Sequence, residues 1–358
     1  MGILSRFHRT RALGAAHKLA ARGNTPGAIE TLRRANRTHP HGELERALVD
    51  LLLQSKPAPA KAGHDLPAAN DPAGDHTPTL PAGRIPEVNA RDLNAQTLRT
   101  AINEAGYLIV RGFFDSGDTA ELRECIDAAL GARVDAEQLD APPTDDPWYY
   151  PSPHFPGTHV AFSKLKQQKH YARTGSIMVI DSPRGAFRVL ELYRKHGLKT
   201  LLDNYFREPA VLATRKWVFR LIEPRNLGHG IGGGWHQDGR FMGEGIVALN
   251  MWVALTECGE GTDAPGITLL PRRIAQILET GTRGANIDWV VAGALVEELA
   301  ADAPIVSPHF KEGDALFFDH FSLHRSGHEP GLTRNRYALE SWFYANTASA
   351  NNAVIDLH

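Results

Sequence analysis

The sequence predicts an α+β protein built on a β-sandwich or jelly roll. Helical periodicity dominates the first part of the chain, and many short apolar runs separated by Gly, Pro and Asp follow it. The run Ile246 to Thr256 alternates strictly, with Ala248, Asn250, Trp252 and Ala254 on one face and Leu249, Met251, Val253 and Leu255 on the other. Such alternation marks a strand that meets two different environments.

The totals bound the class. With 358 residues, 42% of them apolar and 22% charged, the chain has room for one large domain plus an appendage. A net charge of −2 without a long basic run argues against nucleic acid as the main partner. Cys125 and Cys258 lie far apart and in no CxxC pair, so no disulfide framework is expected and a reducing compartment is. No apolar run reaches signal-peptide or membrane-span length, which makes a cytoplasmic location the expectation.

Taken in order, residues 8–54 read as a helical hairpin. Leu13, Ala16, Leu19 and Ala20 recur at helical spacing, as do Ile29, Leu32 and Ala35, with a breaker cluster at Arg22 to Gly27 between them. One such unit resembles a tetratricopeptide hairpin, either a docking or self-association module or an extension packed on its own catalytic domain. Residues 55–86 are rich in Pro and Ala and read as a linker. Residues 87–346 have globular texture. Helices are expected over Leu93 to Ala105, Thr119 to Leu130 and Arg184 to Phe206. Strands are expected over Gly106 to Gly112, Val211 to Ile222, Ile246 to Thr256, Gly266 to Pro271, Ile305 to Phe310, Gly313 to Phe318 and Arg336 to Tyr344. Tyr149, Tyr150 and His154 fall in an irregular aromatic stretch that reads as a lid over the site or, alternatively, as side chains packing a loop. Residues 347–358 read as an unstructured tail.

The chemistry-bearing stretch is Gly232 to Arg240. In an extended strand His236 and Asp238 point to one side, giving two thirds of a facial triad for a non-haem metal. The third ligand must come from elsewhere, and His320 and His324 are the candidates. Arg240 could meet an acidic substrate or simply be solvated.

The order His-x-Asp, a strand with Trp, Pro-Gly-x-x-x-x-Pro, Gly-Asp-x-x-x-Phe, His-x-Ser-Gly and then Arg resembles the phytanoyl-CoA dioxygenase family of iron(II)- and 2-oxoglutarate-dependent oxygenases. The resemblance covers about residues 90–345. It implies a double-stranded β-helix flanked by helices. It also implies His236, Asp238 and His324 as metal ligands, the last because it opens His-x-Ser-Gly, which disfavours His320 and His328. Arg336 is implied for the far carboxylate of 2-oxoglutarate, Ser326 as its hydroxyl helper and Trp252 as a wall of the cosubstrate pocket. One extra residue between His324 and Arg336 leaves Arg334 as a rival, and the lysine that the family uses upstream has no assigned place. An arginine suits that role because its planar, permanently charged fork matches a carboxylate.

The implied activity is hydroxylation of an unactivated carbon of a small or carrier-borne metabolite, with Fe(II), O2 and 2-oxoglutarate, the last leaving as succinate. The carboxylate at Asp238 is retained where related halogenases carry a small residue, so halogenation is not implied. The alternatives are epimerisation, desaturation or ring formation; a peptide or protein hydroxylase recruiting substrate through the N-terminal helices; and a non-enzymatic binding protein with a vestigial metal site. No membrane or nucleic-acid partner is expected.

Overall fold

The computed structural model describes residues 3–55, 84–138, 146–150, 175–226, 234–285, 288–301, 303–327, 329–349 and 352–357. His154, Gly232, Gly233 and His328 lie outside these residues, as does nearly all of the expected linker.

Helices and sheet are mixed. The helices are α1 (Ile3–Ala21), α2 (Thr25–Thr38), α3 (Gly42–Gln54), α4 (Ala95–Ala105), α5 (Ser116–Gln138), α6 (Pro183–Lys195), α7 (Leu198–Phe206), α8 (Gly239–Met242) and α9 (Gly293–Leu299). The strands are β1 (Glu87–Asn89), β2 (Tyr107–Arg111), β3 (Ser176–Met178), β4 (Ala210–Ile222), β5 (Ala248–Ala254), β6 (Ile267–Leu269), β7 (Ala315–Asp319), β8 (His324–Ser326), β9 (Arg336–Ala345) and β10 (Val354–Asp356). Among the described residues the large sheet runs β1-β2-β7-β5-β9-β4-β10, with β3 also on β4, and a small sheet pairs β6 with β8.

The period of two decides what each face of the large sheet buries. Leu249, Met251, Val253, Phe317, Leu339 and Phe343 face the helices and join one apolar cluster with α4 to α7. Trp252, Leu316, Phe318, Ala338, Trp342 and Tyr344 face the other way and pack with Ile267 and Leu269 of the small sheet. The space between the two sheets is where the candidate site lies.

Strand β4 contains an irregularity that matters for that space. Its register with β9 shifts between Leu212 and Trp217. Before the shift Val211 and Ala213 face the small sheet; after it Val218 and Arg220 do. Five residue steps on β4 (212 to 217) oppose two on β9 (343 to 341), so three extra residues reverse the alternation, and irregularities of this kind commonly re-aim a side chain beside a site.

The structure departs from the sequence reading in several places. The N-terminal region holds three helices rather than a hairpin, because Pro40 ends α2 and Gly42 opens α3. These helices are tied to α6: Arg33 and Arg37 pair with Glu191 at 2.8 and 2.5 Å, and Arg184 with Glu45 at 3.0 Å. Their buried Leu32, Leu48 and Leu52 belong to the same apolar cluster as the sheet. The expected helix Arg184 to Phe206 is two helices, broken where Gly197 adopts φ +64°. Ile305 to Phe310 forms only isolated bridges at Val306 and Phe310. The expected unstructured tail contains β10, whose Val354, Ile355 and Asp356 pair with β4. The lid reading fails for the two described tyrosines: Tyr149 is buried in the helix-side cluster and Arg46 lies over Tyr150 at 5.4 Å.

Candidate metal centre

His236 and His324 are distant in the chain but form an antiparallel bridge. Each donates its amide to the other's carbonyl, at 3.0 and 3.1 Å. That pairing sets both side chains on one side, with ring centroids 4.4 Å apart. Asp238 is not on an extended strand as the sequence reading had it. It has helical dihedrals (φ −63°, ψ −27°) and leads into α8. It still reaches the imidazoles, because the chain turns sharply at Gln237. The buried Gln237 amide donates to the carbonyls of Gln276 and Phe321 at 3.0 and 2.6 Å and accepts from the Leu278 amide at 2.7 Å. Gly239 fastens the other side of Asp238, its amide donating to the His320 carbonyl at 3.0 Å.

One donor atom from each of His236, Asp238 and His324 lies within 4.8 Å of the others, so the three could hold a metal ion. Their tautomers are fixed for that task. His236 Nδ1 donates to the Gly234 carbonyl at 2.9 Å and His324 Nδ1 to the Ser322 carbonyl at 3.1 Å. With Nδ1 engaged in this way, Nε2 is in each ring the nitrogen available to a metal. Asp238 Oδ2 lies 3.6 Å from His324 Nε2, while its Oδ1 accepts from Lys216 at 2.8 Å. Burial pushes the His236 imidazole down to about 4, with His324 adding to the effect, so it is neutral and free to ligate. Burial alone would raise the Asp238 carboxyl, but the Lys216 ammonium and the two imidazoles hold it well below the ordinary carboxylate range.

Lys216 is a residue that sequence reading did not identify. It sits within the β4 irregularity, between Leu212 and Trp217, on the side of Asp238, and it also lies 5.3 Å from the Phe241 ring. A single lysine inside an apolar strand was the available signal. Phe241 and Trp289 were missed as well; their rings lie 6.5 and 5.6 Å from His236.

The cosubstrate candidates gather one step along the sheet. Arg336 is 2% exposed and stacks over Trp252 with its guanidinium carbon 5.5 Å from the ring. Its Nη1 donates to the Gly266 carbonyl at 2.6 Å, while its buried Nε has no partner. Burial lowers it to about 10, leaving it charged at neutral pH. Ser326 pairs with Ile267, directly after the glycine whose carbonyl Arg336 engages. The rival Arg334 is half exposed and ion-paired to Asp263. His320 is buried against Phe321, apart from the triad grouping, at 4.0 Å between rings. Arg240 is exposed and donates to the Thr280 hydroxyl at 3.3 Å.

Between triad and arginine lies a floor with unused polar atoms. The Asn250 amide, Trp342 Nε1 and Tyr344 hydroxyl are all buried without a hydrogen-bond partner. Phe318, paired with Asn250, touches the His324 ring at 4.8 Å, and Trp252 two residues along β5 carries Arg336. Two strand residues span about 7 Å, a separation that suits a short diacid. Buried polar groups are normally satisfied, so these orphans fit a polar ligand lying over them.

Sequence comparison decides the family. The description "Phytanoyl-CoA dioxygenase (PhyH)" matches residues 102–330. The chain belongs to the phytanoyl-CoA dioxygenase family. As a member it is a 2-oxoglutarate-dependent dioxygenase using iron and O2, and a small-molecule substrate fits the family. Comparison with curated proteins finds no match. Similar solved structures include EctD from S. alaskensis with 2-oxoglutarate and 5-hydroxyectoine, at 19% identity over 71% of this chain and 76% of that one, TM-score 0.47. The carbocyclase SnoK from nogalamycin biosynthesis shares 14% identity over 72% and 86%, TM-score 0.42. The epimerase SnoN, in complex with Fe3+, alpha ketoglutarate and nogalamycin RO, shares 16% over 70% and 83%, TM-score 0.38.

Proposed function

We propose that this phytanoyl-CoA dioxygenase family member hydroxylates an unactivated carbon of a small or carrier-borne metabolite. His236, Asp238 and His324 would hold the iron, and Arg336 the far carboxylate of 2-oxoglutarate, with Ser326 as hydroxyl helper and Trp252 as a wall. Residues 87–346 would form the oxygenase domain, its two sheets making a double-stranded β-helix, or jelly roll. The observation that carries the reading is the pair of imidazoles, each held by an Nδ1 bond to a backbone carbonyl, converging with a charged carboxylate.

Iron, 2-oxoglutarate and O2 together supply oxidative decarboxylation coupled to oxidation of a substrate C–H bond. The chain's own contribution is placement. Two imidazole nitrogens and one carboxylate would hold the ion from the protein side and leave room for further ligands. Lys216 occupies Asp238 Oδ1 and leaves Oδ2 for the ion. Arg336 would offer its charge beside Trp252, where both side chains are buried and an unpaired carboxylate would be costly. Retention of Asp238 favours oxidation by hydroxyl transfer over halide transfer.

The test is succinate release from 2-oxoglutarate across a metabolite library, comparing wild type with His236→Ala and Asp238→Ala. Both variants are expected to lose succinate formation. Undiminished formation by either would refute the assignment of ligands.

A further inference from the structure

The first 42 residues carry eight arginines and lysines against one carboxylate, Glu30, in a chain with 39 basic and 41 acidic side chains. Helices α1 and α2 are thus strongly cationic, α3 adds Glu43, Glu45 and Asp50 against Arg46, and the chain beyond residue 42 is acidic. These helices line a half-open cavity of about 750 Å³ on the face of α1 and α2 that ends at the start of α3. Arg9, Arg11 and Arg34 line it, together with His8, His39 and His41, and no carboxylate does. Arg9 is already held by Glu43 at 3.0 Å. Arg11 and Arg34 are exposed, and among the described residues neither makes an ion pair. Between the cations the wall is apolar: Ala12, Ala15, Ala35 and Leu44.

We infer that this cavity docks an acidic, amphipathic polypeptide segment of a partner protein, its carboxylates on Arg11 and Arg34 and its apolar side chains on the alanine and leucine floor. Guanidinium forks match carboxylates in pairs. The volume lies in the range of discrete binding pockets, about 300 to 1,000 Å³, which suits a few residues of chain. A nucleic-acid duplex needs an extended cationic track, and the acidic remainder of this chain would repel it beyond the cavity. A bilayer surface is flat, whereas these cations point into a concavity. The site lies on the helices bound to α6, so its occupant would recruit or anchor rather than enter the chemistry at the iron.

The probe is a fluorescein-labelled peptide of four Glu-Leu repeats, read by anisotropy on the full chain, with a Gln-Leu peptide, pyrophosphate and a short DNA duplex as comparisons. Wild type should bind the Glu-Leu peptide, and the Gln-Leu peptide far more weakly. Arg11→Glu with Arg34→Glu should weaken binding by at least about tenfold. Binding should weaken as salt rises from about 0.05 to about 0.2 M. Circular dichroism and 2-oxoglutarate turnover should stay at wild-type values. If the charge reversal does not fold, Arg11→Gln with Arg34→Gln should still lose about threefold. Absence of binding, equal binding of both peptides, indifference to the arginine substitutions, or tighter binding of pyrophosphate or duplex would each overturn the inference.

Discussion

At the scale of single residues, the contrast between Arg336 and Arg334 separates a site from a surface. Arg334 is half exposed and already paired with Asp263, and exposed pairs contribute little. Arg336 is buried, stacked on Trp252 and has an unpartnered Nε. Leaving a buried carboxylate without its charged partner costs several kcal/mol. Arg336→Leu is therefore expected to raise the 2-oxoglutarate concentration needed for half-maximal turnover by about 100-fold, and Arg334→Leu by less than about threefold. Steady-state titration of the cosubstrate checks the ranking, and the reverse order would move the anchor. The same scale shows what a sequence can disclose. His-x-Asp and His-x-Ser-Gly were readable because each keeps its chemistry within a few residues. Lys216 was not, because its approach to Asp238 depends on a register shift in β4 that no local pattern announces.

At the scale of elements, the alternation of β5 was legible: Ala248, Trp252 and Ala254 fall in one apolar cluster and Leu249, Met251 and Val253 in the other, although which face meets the small sheet was not. The placement of Asp238 was not, because the turn is fixed by contacts to residues 276, 278, 320 and 321 rather than by local propensity. Gly239 shows how tight that turn is. A Cβ there would stand 2.7 Å from both the His320 carbonyl oxygen and Ile277 Cδ1. Gly239→Ala should shift Asp238 and weaken iron binding by about tenfold or more while far-ultraviolet circular dichroism stays unchanged; unaltered iron affinity would show that the turn tolerates movement. A second element-scale prediction concerns the turn before α6. Burial raises the Asp181 carboxyl from 3.8 to about 8, against the opposing pull of Arg133. Between those two values the folded chain keeps a proton that the unfolded chain has released, so stability falls as pH rises through the window and levels off above it. Asp181→Asn has no such proton, and its melting temperature should lack that decline. Parallel pH profiles for wild type and variant would contradict the account.

At the scale of the whole molecule, the N-terminal helices are part of the folded core. Glu45 is 1% exposed and accepts from Arg184 at 3.0 Å and from Asn36 at 3.2 Å. Removing one partner of a buried pair costs about 3 to 5 kcal/mol. Glu45→Ala should lower the unfolding free energy by that order in denaturant titration, within one cooperative transition; a separate early transition would show that the helices fold on their own. A third helix and the strand near the C-terminus were not foreseen, since Gly42 to Gln54 and Val354 to Asp356 take their structure from packing on α6 and β4. The central claim is that side chains from two distant parts of the chain meet on one iron, with 2-oxoglutarate secured behind it. A crystal grown without oxygen in the presence of ferrous iron and 2-oxoglutarate, measured at the iron absorption edge, tests it most directly. The account predicts one anomalous peak bounded by His236, Asp238 and His324, with the far carboxylate of 2-oxoglutarate on Arg336. An iron peak away from His324, or a cosubstrate carboxylate on Arg334, would contradict it.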